Sequence, residues 1–159
     1  MFSKNKKGFT LVEIMIVVAI IALLAAIAIP GLLRSRLTAN ESSAIASLKT
    51  IATGAETFRS AQTTPVYPGS VSALSSVSPA YITGFTGATD PVTKSGYSFS
   101  IGSSGANTFT AIANPTAFGT TGNRSFCVDQ TGVMWNANAS FASNTVCATQ
   151  ALSGLQQMQ

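Results

Sequence analysis

Side chains that could act as acids, bases or metal ligands are scarce beyond residue 62. The charged residues in that part of the sequence are Asp90, Lys94, Arg124 and Asp129, and the whole sequence of 159 residues contains no histidine. Histidine is the side chain most often used as a general base and as a metal ligand. A paired-carboxylate site, a metal cluster or a histidine-activated nucleophile therefore cannot be assembled there. We predict a protein that is not an enzyme and has no catalytic, cofactor or metal site.

Asp90 and Asp129 allow two interpretations. A calcium ion takes six to eight oxygen ligands, so these two carboxylates would need backbone carbonyls to complete a site. Aspartate is also common in turns, where its side chain bonds its own backbone. With so few charges nearby, we expect two turn aspartates.

The two cysteines, Cys127 and Cys147, both follow the apolar N-terminal part of the chain. In an exported domain such a pair persists as a disulfide, because the compartment is oxidising. The loop that it closes would stabilise the fold by about 3 kcal/mol. A pair of free thiols is the alternative, since the sequence does not give the distance between them.

The N-terminal segment contains a long apolar block with one carboxylate at its edge. No residue from Ile14 to Leu33 carries a charge. As an α-helix this block would cover about 30 Å, the thickness of the hydrocarbon core of a bilayer. Glu13 adjoins the block, where an unpaired carboxylate costs about 2.5 to 3.5 kcal/mol if held at bilayer depth. The position of Glu13 therefore needs an explanation.

Two general interpretations fit this block. It could be a transmembrane anchor, or a secretory signal peptide removed after Ala28, where Ala26-Ile27-Ala28 offers a small-x-small cleavage site. The second would release a monomeric exported binding protein. Glu13 argues against it, because a signal peptide has an uncharged apolar core.

A more specific interpretation comes from the run GFTLVEI at residues 8–14 and the run AAIAIP at residues 25–30. Together they resemble the processing and assembly signature of type IV pilins and pseudopilins, with a class III type leader. The resemblance implies that a prepilin peptidase cleaves between Gly8 and Phe9 and that Phe9 is then N-methylated. It also implies that Glu13 assists methylation and pairs with the N-terminal amine of a neighbouring subunit. Opposite charges brought together in a low-dielectric layer would offset each other's desolvation.

Charges that flank the block predict its orientation. Lys4, Lys6 and Lys7 precede it, whereas Arg34 and Arg36 follow it. Positive flanks stay in the cytoplasm, so the larger positive charge at the N-terminus favours export of the rest of the chain. The lysines would leave with the leader, so the net charge of +4 does not indicate a nucleic-acid partner.

Beyond the block, apolar residues recur at spacings of three and four from Leu37 to Phe58, interrupted by Glu41. This period predicts an amphipathic helix continuous with the apolar block, about 50 residues in all. Pro30 and Gly31 predict a kink, because proline removes a backbone donor and clashes with the preceding turn.

The remaining sequence predicts loops and strands. Residues 62–96 are rich in proline and glycine and predict a loop, with a short helix that Ser70 could cap. Alternation at 97–101 and 108–113, with a turn at 102–107, predicts one hairpin, and residues 124–128 and 133–135 predict a second. We expect an α+β fold in which three or four antiparallel strands with one polar face cover the amphipathic helix.

The predicted organisation is a leader at 1–8, a transmembrane and assembly half-helix at 9–33, an amphipathic half-helix at 34–62, and a head at 63–159. A disulfide near the C-terminus resembles the D-region of many type IV pilins. The resemblance implies a homopolymeric extracellular pilus for adhesion, twitching motility or DNA uptake, preceded by a single-pass inner-membrane form with a cytoplasmic N-terminus. It also implies two further partners, a prepilin peptidase/methyltransferase and an inner-membrane assembly platform. The alternative is a pseudopilin of a type II secretion system.

Overall fold

The computed structural model describes residues 8–85, 90–142, 147–149, 152 and 154–158. Within these residues a long helix is followed by one antiparallel sheet, so the predicted α+β class is confirmed. Six strands are present in the described part of the chain, rather than three or four. The elements are α1 (Leu11–Ala61), α2 (Ser72–Ser75), β1 (Val92–Lys94), β2 (Tyr97–Gly105), β3 (Thr108–Pro115), β4 (Ser125–Asp129), β5 (Met134–Ala137), a 3-10 turn (Cys147–Thr149) and β6 (Gln156–Gln157).

The chain divides into two compact units, Met1–Ser35 and Arg36–Gln159, which are described separately. In the first unit the chain enters α1 at Leu11, and the helix continues through Pro30. Its acidic first-turn residue is Glu13, which suits the partial positive charge at a helix N-terminus.

In the second unit, α1 contributes one buried stripe to the core. Ala44, Leu48, Ile51 and Ala55 are fully buried, at the spacings of three and four that the sequence predicted. They pack with apolar side chains of the sheet, of which Phe99 is fully buried. The amphipathic period therefore has a direct cause, because only one helix face meets the sheet.

Each strand of the sheet pairs antiparallel with its neighbours in chain order. Two details of the predicted loops are wrong. The predicted loop at 62–96 contains β1, whose Val92 pairs with Phe99. The predicted turn at 102–107 is too long, because β2 continues to Gly105 and β3 begins at Thr108.

The second face of the sheet is covered by residues near the C-terminus. Ile112, Cys127 and Ala137 of the sheet pack there with Phe141 and Cys147. All five residues of β4 are consequently buried. The expectation of one polar face is wrong for this strand, because the sheet is packed on both sides.

Candidate assembly segment and its supporting contacts

The first unit presents a continuous apolar surface. Every large apolar side chain from Phe9 to Leu33 is between 51% and 86% exposed. The helix that carries them is long and apolar enough to cross a membrane, and its most apolar window has a mean hydropathy of 3.0. Exposed apolar patches of this extent are rare on monomeric soluble proteins and mark contact with a membrane or with other chains.

Glu13 and Thr10 bond each other at the start of α1. The Glu13 carboxylate oxygen Oε2 accepts from the Thr10 backbone N–H at 2.8 Å and from the Thr10 hydroxyl at 2.7 Å. The Thr10 hydroxyl in turn accepts from the Glu13 backbone N–H at 3.2 Å. This reciprocal pair is a capping box, in which each side chain satisfies a backbone donor that the helix leaves unpaired.

Sequence reasoning did not identify Thr10, although a local signal was available. Thr10-x-x-Glu13 has the threonine-to-glutamate spacing of a capping box, directly before an apolar run. The box gives Glu13 hydrogen-bond partners within its own chain but no positive charge. Transfer from water to lipid is still unfavourable for a carboxylate that has hydrogen bonds but no counter-charge.

The residues on either side of the predicted cleavage point are accessible. Phe9 is 86% exposed. A Cβ added at Gly8 would have no atom within 4 Å. The folded chain therefore has room for a larger side chain at residue 8. Lys4, Lys6 and Lys7 lie outside the described residues.

Comparison with known proteins finds similarity to the N-terminal part of this chain. A family model, the prokaryotic N-terminal methylation motif, matches residues 3–29. The chain is 46% identical over 57 residues to the type IV major pilin protein PilA of Myxococcus xanthus. It is 60% identical over 38 residues to the type IV wide pilus major component PilA4 of Thermus thermophilus. Over the matched residues the chain is similar to these type IV pilins, and residues 3–29 carry the methylation motif.

The similarity covers part of each protein. The match to the M. xanthus pilin takes in 36% of this chain and 26% of the relative. The match to the T. thermophilus pilin takes in 24% of this chain and 29% of the relative. The chain thus spans less than a third of the length of these curated relatives. No solved structure matches this chain.

Within the second unit, Glu41 fixes the segment before β4 to α1. Its carboxylate accepts from the backbone N–H of Asn123 at 3.0 Å and from Nε and Nη2 of Arg124 at 3.1 and 2.7 Å. The residue is only 8% exposed. The one charged member of the apolar stripe is therefore buried as half of an ion pair, which we call the head ion pair.

Tyr97 supports the same junction from the sheet. Its side chain is fully buried and its hydroxyl donates to the backbone carbonyl of Arg124 at 2.8 Å. Burial raises the pKa of Tyr97 above its ordinary value, and the nearby Glu41 carboxylate adds to the rise. The phenol therefore stays protonated and keeps donating at any physiological pH. Gly122 passes so close to the Tyr97 ring that an added Cβ would overlap it.

Cys127 of β4 and Cys147 form a disulfide, with their Cα atoms 5.9 Å apart. Both are fully buried. Asn114 supports the same region, since its side-chain amide donates to the Phe141 carbonyl at 3.1 Å and accepts from the Phe141 N–H at 2.9 Å. These contacts hold the chain after β5 against the second face of the sheet.

The two aspartates considered as cation ligands differ in their surroundings. Asp129 accepts from the backbone N–H of Thr131 at 3.0 Å, which is the turn contact expected from its sequence position. Burial raises the pKa of Asp90, against hydrogen bonds from the backbone of Ile101 and Val71 that lower it. Among the described residues, no group of three or more His, Cys, Asp or Glu side chains could hold a metal ion.

Pro30 and Gly31, the residues of the predicted kink, lie in the first unit. Pro30 is inside α1. A Cβ added at Gly31 would have no atom within 4 Å, so nothing in the chain itself restricts this residue to glycine. The kink stays a prediction.

Proposed function

We propose that this chain is a structural subunit that polymerises through the apolar part of α1 into an extracellular type IV pilus. The observation that carries the proposal is the exposure of every large apolar side chain from Phe9 to Leu33. A bilayer would cover this surface before assembly, and neighbouring subunits would cover it in a filament. The match of residues 3–29 to the methylation motif supports processing by a prepilin peptidase.

In this proposal the inner membrane holds the unassembled subunit with its N-terminus in the cytoplasm, and an inner-membrane assembly platform moves it into the filament. The filament would serve adhesion, twitching motility or DNA uptake. A structural role also agrees with the scarcity of acid–base side chains beyond residue 62.

Glu13 would make assembly selective. Cleavage between Gly8 and Phe9 leaves Thr10 in the mature chain, so the capping box persists. Its two hydrogen bonds orient the carboxylate but leave its charge unbalanced in lipid. The N-terminal amine of a neighbouring Phe9 would supply the missing positive charge. Assembly would then relieve a free-energy cost that the isolated subunit bears in the membrane.

Two substitutions separate charge from capping. Glu13→Gln removes the charge but keeps the capping box, because glutamine also serves at this position. Thr10→Ala removes the box but keeps the charge. We expect Glu13→Gln to abolish surface filaments seen by electron microscopy while the subunit remains in the membrane, and Thr10→Ala to reduce their number less. Abundant filaments from Glu13→Gln would contradict charge pairing.

The processing step has its own test. Gly8→Phe should block cleavage and leave the full-length chain in the inner membrane, although the chain itself has room for a side chain there. Normal maturation of this variant would contradict processing at Gly8. Deletion of the gene gives a further outcome: a secretion defect without loss of surface filaments would identify a pseudopilin of a type II secretion system instead.

A further inference from the structure

The last described strand, β6, is held to the sheet by few contacts. Its two residues, Gln156 and Gln157, pair with Asn136 and Trp135 of β5, and both glutamine side chains are exposed. The Asn136 side-chain amide donates to the Gln156 carbonyl at 3.3 Å. Backbone pairing over two residues is weak by itself. Side-chain packing next to β6 must therefore contribute to its attachment.

Met158 supplies that packing. It follows β6 directly, its side chain is partly buried against the main core of the second unit, and its backbone N–H donates to the Met134 carbonyl at 2.8 Å. The two glutamines before it point to solvent. Among residues 156–158, the thioether of Met158 is thus the one apolar group that ties the strand to the core.

The residues before β6 are anchored independently, on the second face of the sheet. Leu152 and Leu155 are partly buried there against the cluster that contains Cys127 and Cys147. If Met158 lost its contact, β6 could therefore separate from β5 while Leu155 stayed in place. Opening of one short segment, with the rest of the fold intact, is a common form of local unfolding.

A small molecule can reach Met158 from solvent. A hollow of about 320 Å³ lies beside it, and Ile45 of α1, Met134 of β5 and Gln157 of β6 also line this hollow. Met158 is partly exposed, whereas Met134 is only 7% exposed. A soluble oxidant should therefore react with Met158 first, because oxidation of a sulfur atom follows its exposure.

We propose that Met158 is a redox-sensitive latch for β6. Hydrogen peroxide transfers one oxygen atom to its sulfur: the sulfur lone pair forms the new S–O bond, the O–O bond breaks, and the proton of the transferred oxygen goes to the departing one. The thioether is oxidised to a sulfoxide and the peroxide is reduced to water. Burial of the polar sulfoxide against the core is unfavourable, so Met158 leaves the core and β6 separates from β5.

Release of β6 changes the surface of the second unit. The backbone of Trp135 and Asn136 loses its partners in β6, and the outer edge of β5 becomes free to pair with another extended chain. The change is reversible, because methionine sulfoxide reductases convert the sulfoxide back to the thioether. The latch lies in the second unit and does not depend on polymerisation.

Amide hydrogen exchange, measured by mass spectrometry on the full chain in detergent micelles, tests the latch. Hydrogen peroxide should convert Met158 to its sulfoxide and speed exchange in the peptide that covers residues 155–158 by roughly tenfold. Exchange at residues 108–115 should not change, because β3 is paired on both sides. Methionine sulfoxide reductases should restore the slow rate. Resistance of Met158 to peroxide, or oxidation of Met158 without faster exchange, would overturn the proposal.

Three variants assign the response to Met158. Met158→Leu keeps an apolar side chain of similar size that cannot be oxidised, so peroxide should leave its exchange slow. Met158→Gln should exchange fast without peroxide, because its amide is polar, like the sulfoxide. Met134→Leu is the matched control beside the same hollow and should respond to peroxide as the unaltered chain does. A response that persists in Met158→Leu or disappears in Met134→Leu would overturn the proposal, and so would slow exchange in Met158→Gln.

Discussion

The head ion pair yields an asymmetric prediction for stability. The side chain of Arg124 is 43% exposed, whereas that of Glu41 is 10% exposed. Arg124→Ala therefore leaves a buried carboxylate without its counter-charge, although the carboxylate still accepts from the Asn123 N–H. Breaking a buried ion pair in this way costs about 3 to 5 kcal/mol. Because this pair is open to water on one side, we expect about 3 kcal/mol.

Removing the buried partner should cost less. In Glu41→Gln the freed guanidinium can turn to water and the amide oxygen can still accept from Asn123, so we expect about 1 to 2 kcal/mol. Adding Glu41→Gln to Arg124→Ala should restore part of the lost stability, because it removes the uncompensated charge. Lys49→Gln, which removes a charge at an exposed position of the same helix, is the control, with an expected change within about 0.5 kcal/mol.

Thermal unfolding of the full chain in detergent micelles, followed by near-ultraviolet circular dichroism, measures these differences. For a unit of this size 1 kcal/mol shifts the melting temperature by about 3 to 5 °C, so Arg124→Ala should lower it by about 10 °C. A larger loss for Glu41→Gln than for Arg124→Ala would refute the reasoning. So would a double variant less stable than Arg124→Ala.

Three further predictions concern the second unit. Gly122→Ala should destabilise it by about 1 to 3 kcal/mol in the same melting assay, because the new methyl group would overlap buried Tyr97; an unchanged melting temperature would show that Tyr97 can move. Replacing Cys127 and Cys147 together by alanine should lower the free energy of unfolding by about 3 kcal/mol, and free thiols in exported protein would contradict the pairing. Burial raises the pKa of Asp90, so its contribution to stability is present below the ordinary carboxyl pKa and is lost as pH rises through the raised value. Asp90→Asn cannot titrate, so its stability relative to the unaltered chain should increase from acid to neutral pH, and a pH-independent difference would refute the shift.

The helix and its buried face could be predicted from the sequence because their causes are local. An uncharged block predicts the exposed apolar part of α1, and spacings of three and four predict the buried stripe that includes Leu48. The sequence alone did not explain why a charged residue, Glu41, interrupts that pattern. Its partner Arg124 is 83 residues away in the sequence.

The two edge strands of the sheet, β1 and β6, were harder to predict because their pairing partners lie elsewhere in the sequence. Strand β1 has three residues and β6 has two, too few to show alternation. Their conformation is set by pairing with longer neighbours, Val92 with Phe99 and Gln157 with Trp135. By contrast Ser70, suggested by its position alone, does accept from the Ala73 backbone N–H at 3.2 Å near the start of α2.

In the candidate assembly segment, the sequence identified some of the important residues and missed another. Gly8, Phe9 and Glu13 were singled out by a family signature, and the methylation motif matches residues 3–29. Thr10 was passed over, although its contact with Glu13 is within one helical turn. The signature directed attention to processing and assembly and away from the ordinary helix start that the same residues form.

The N-terminus of the assembled subunit tests the central claim most directly. Filaments sheared from the cell surface would be dissolved and their N-terminal peptide analysed by mass spectrometry. We predict a chain that begins at Phe9 and carries one added methyl group on its amine. A chain that begins at Met1, or one that begins after Ala28, would contradict assembly through a retained apolar helix.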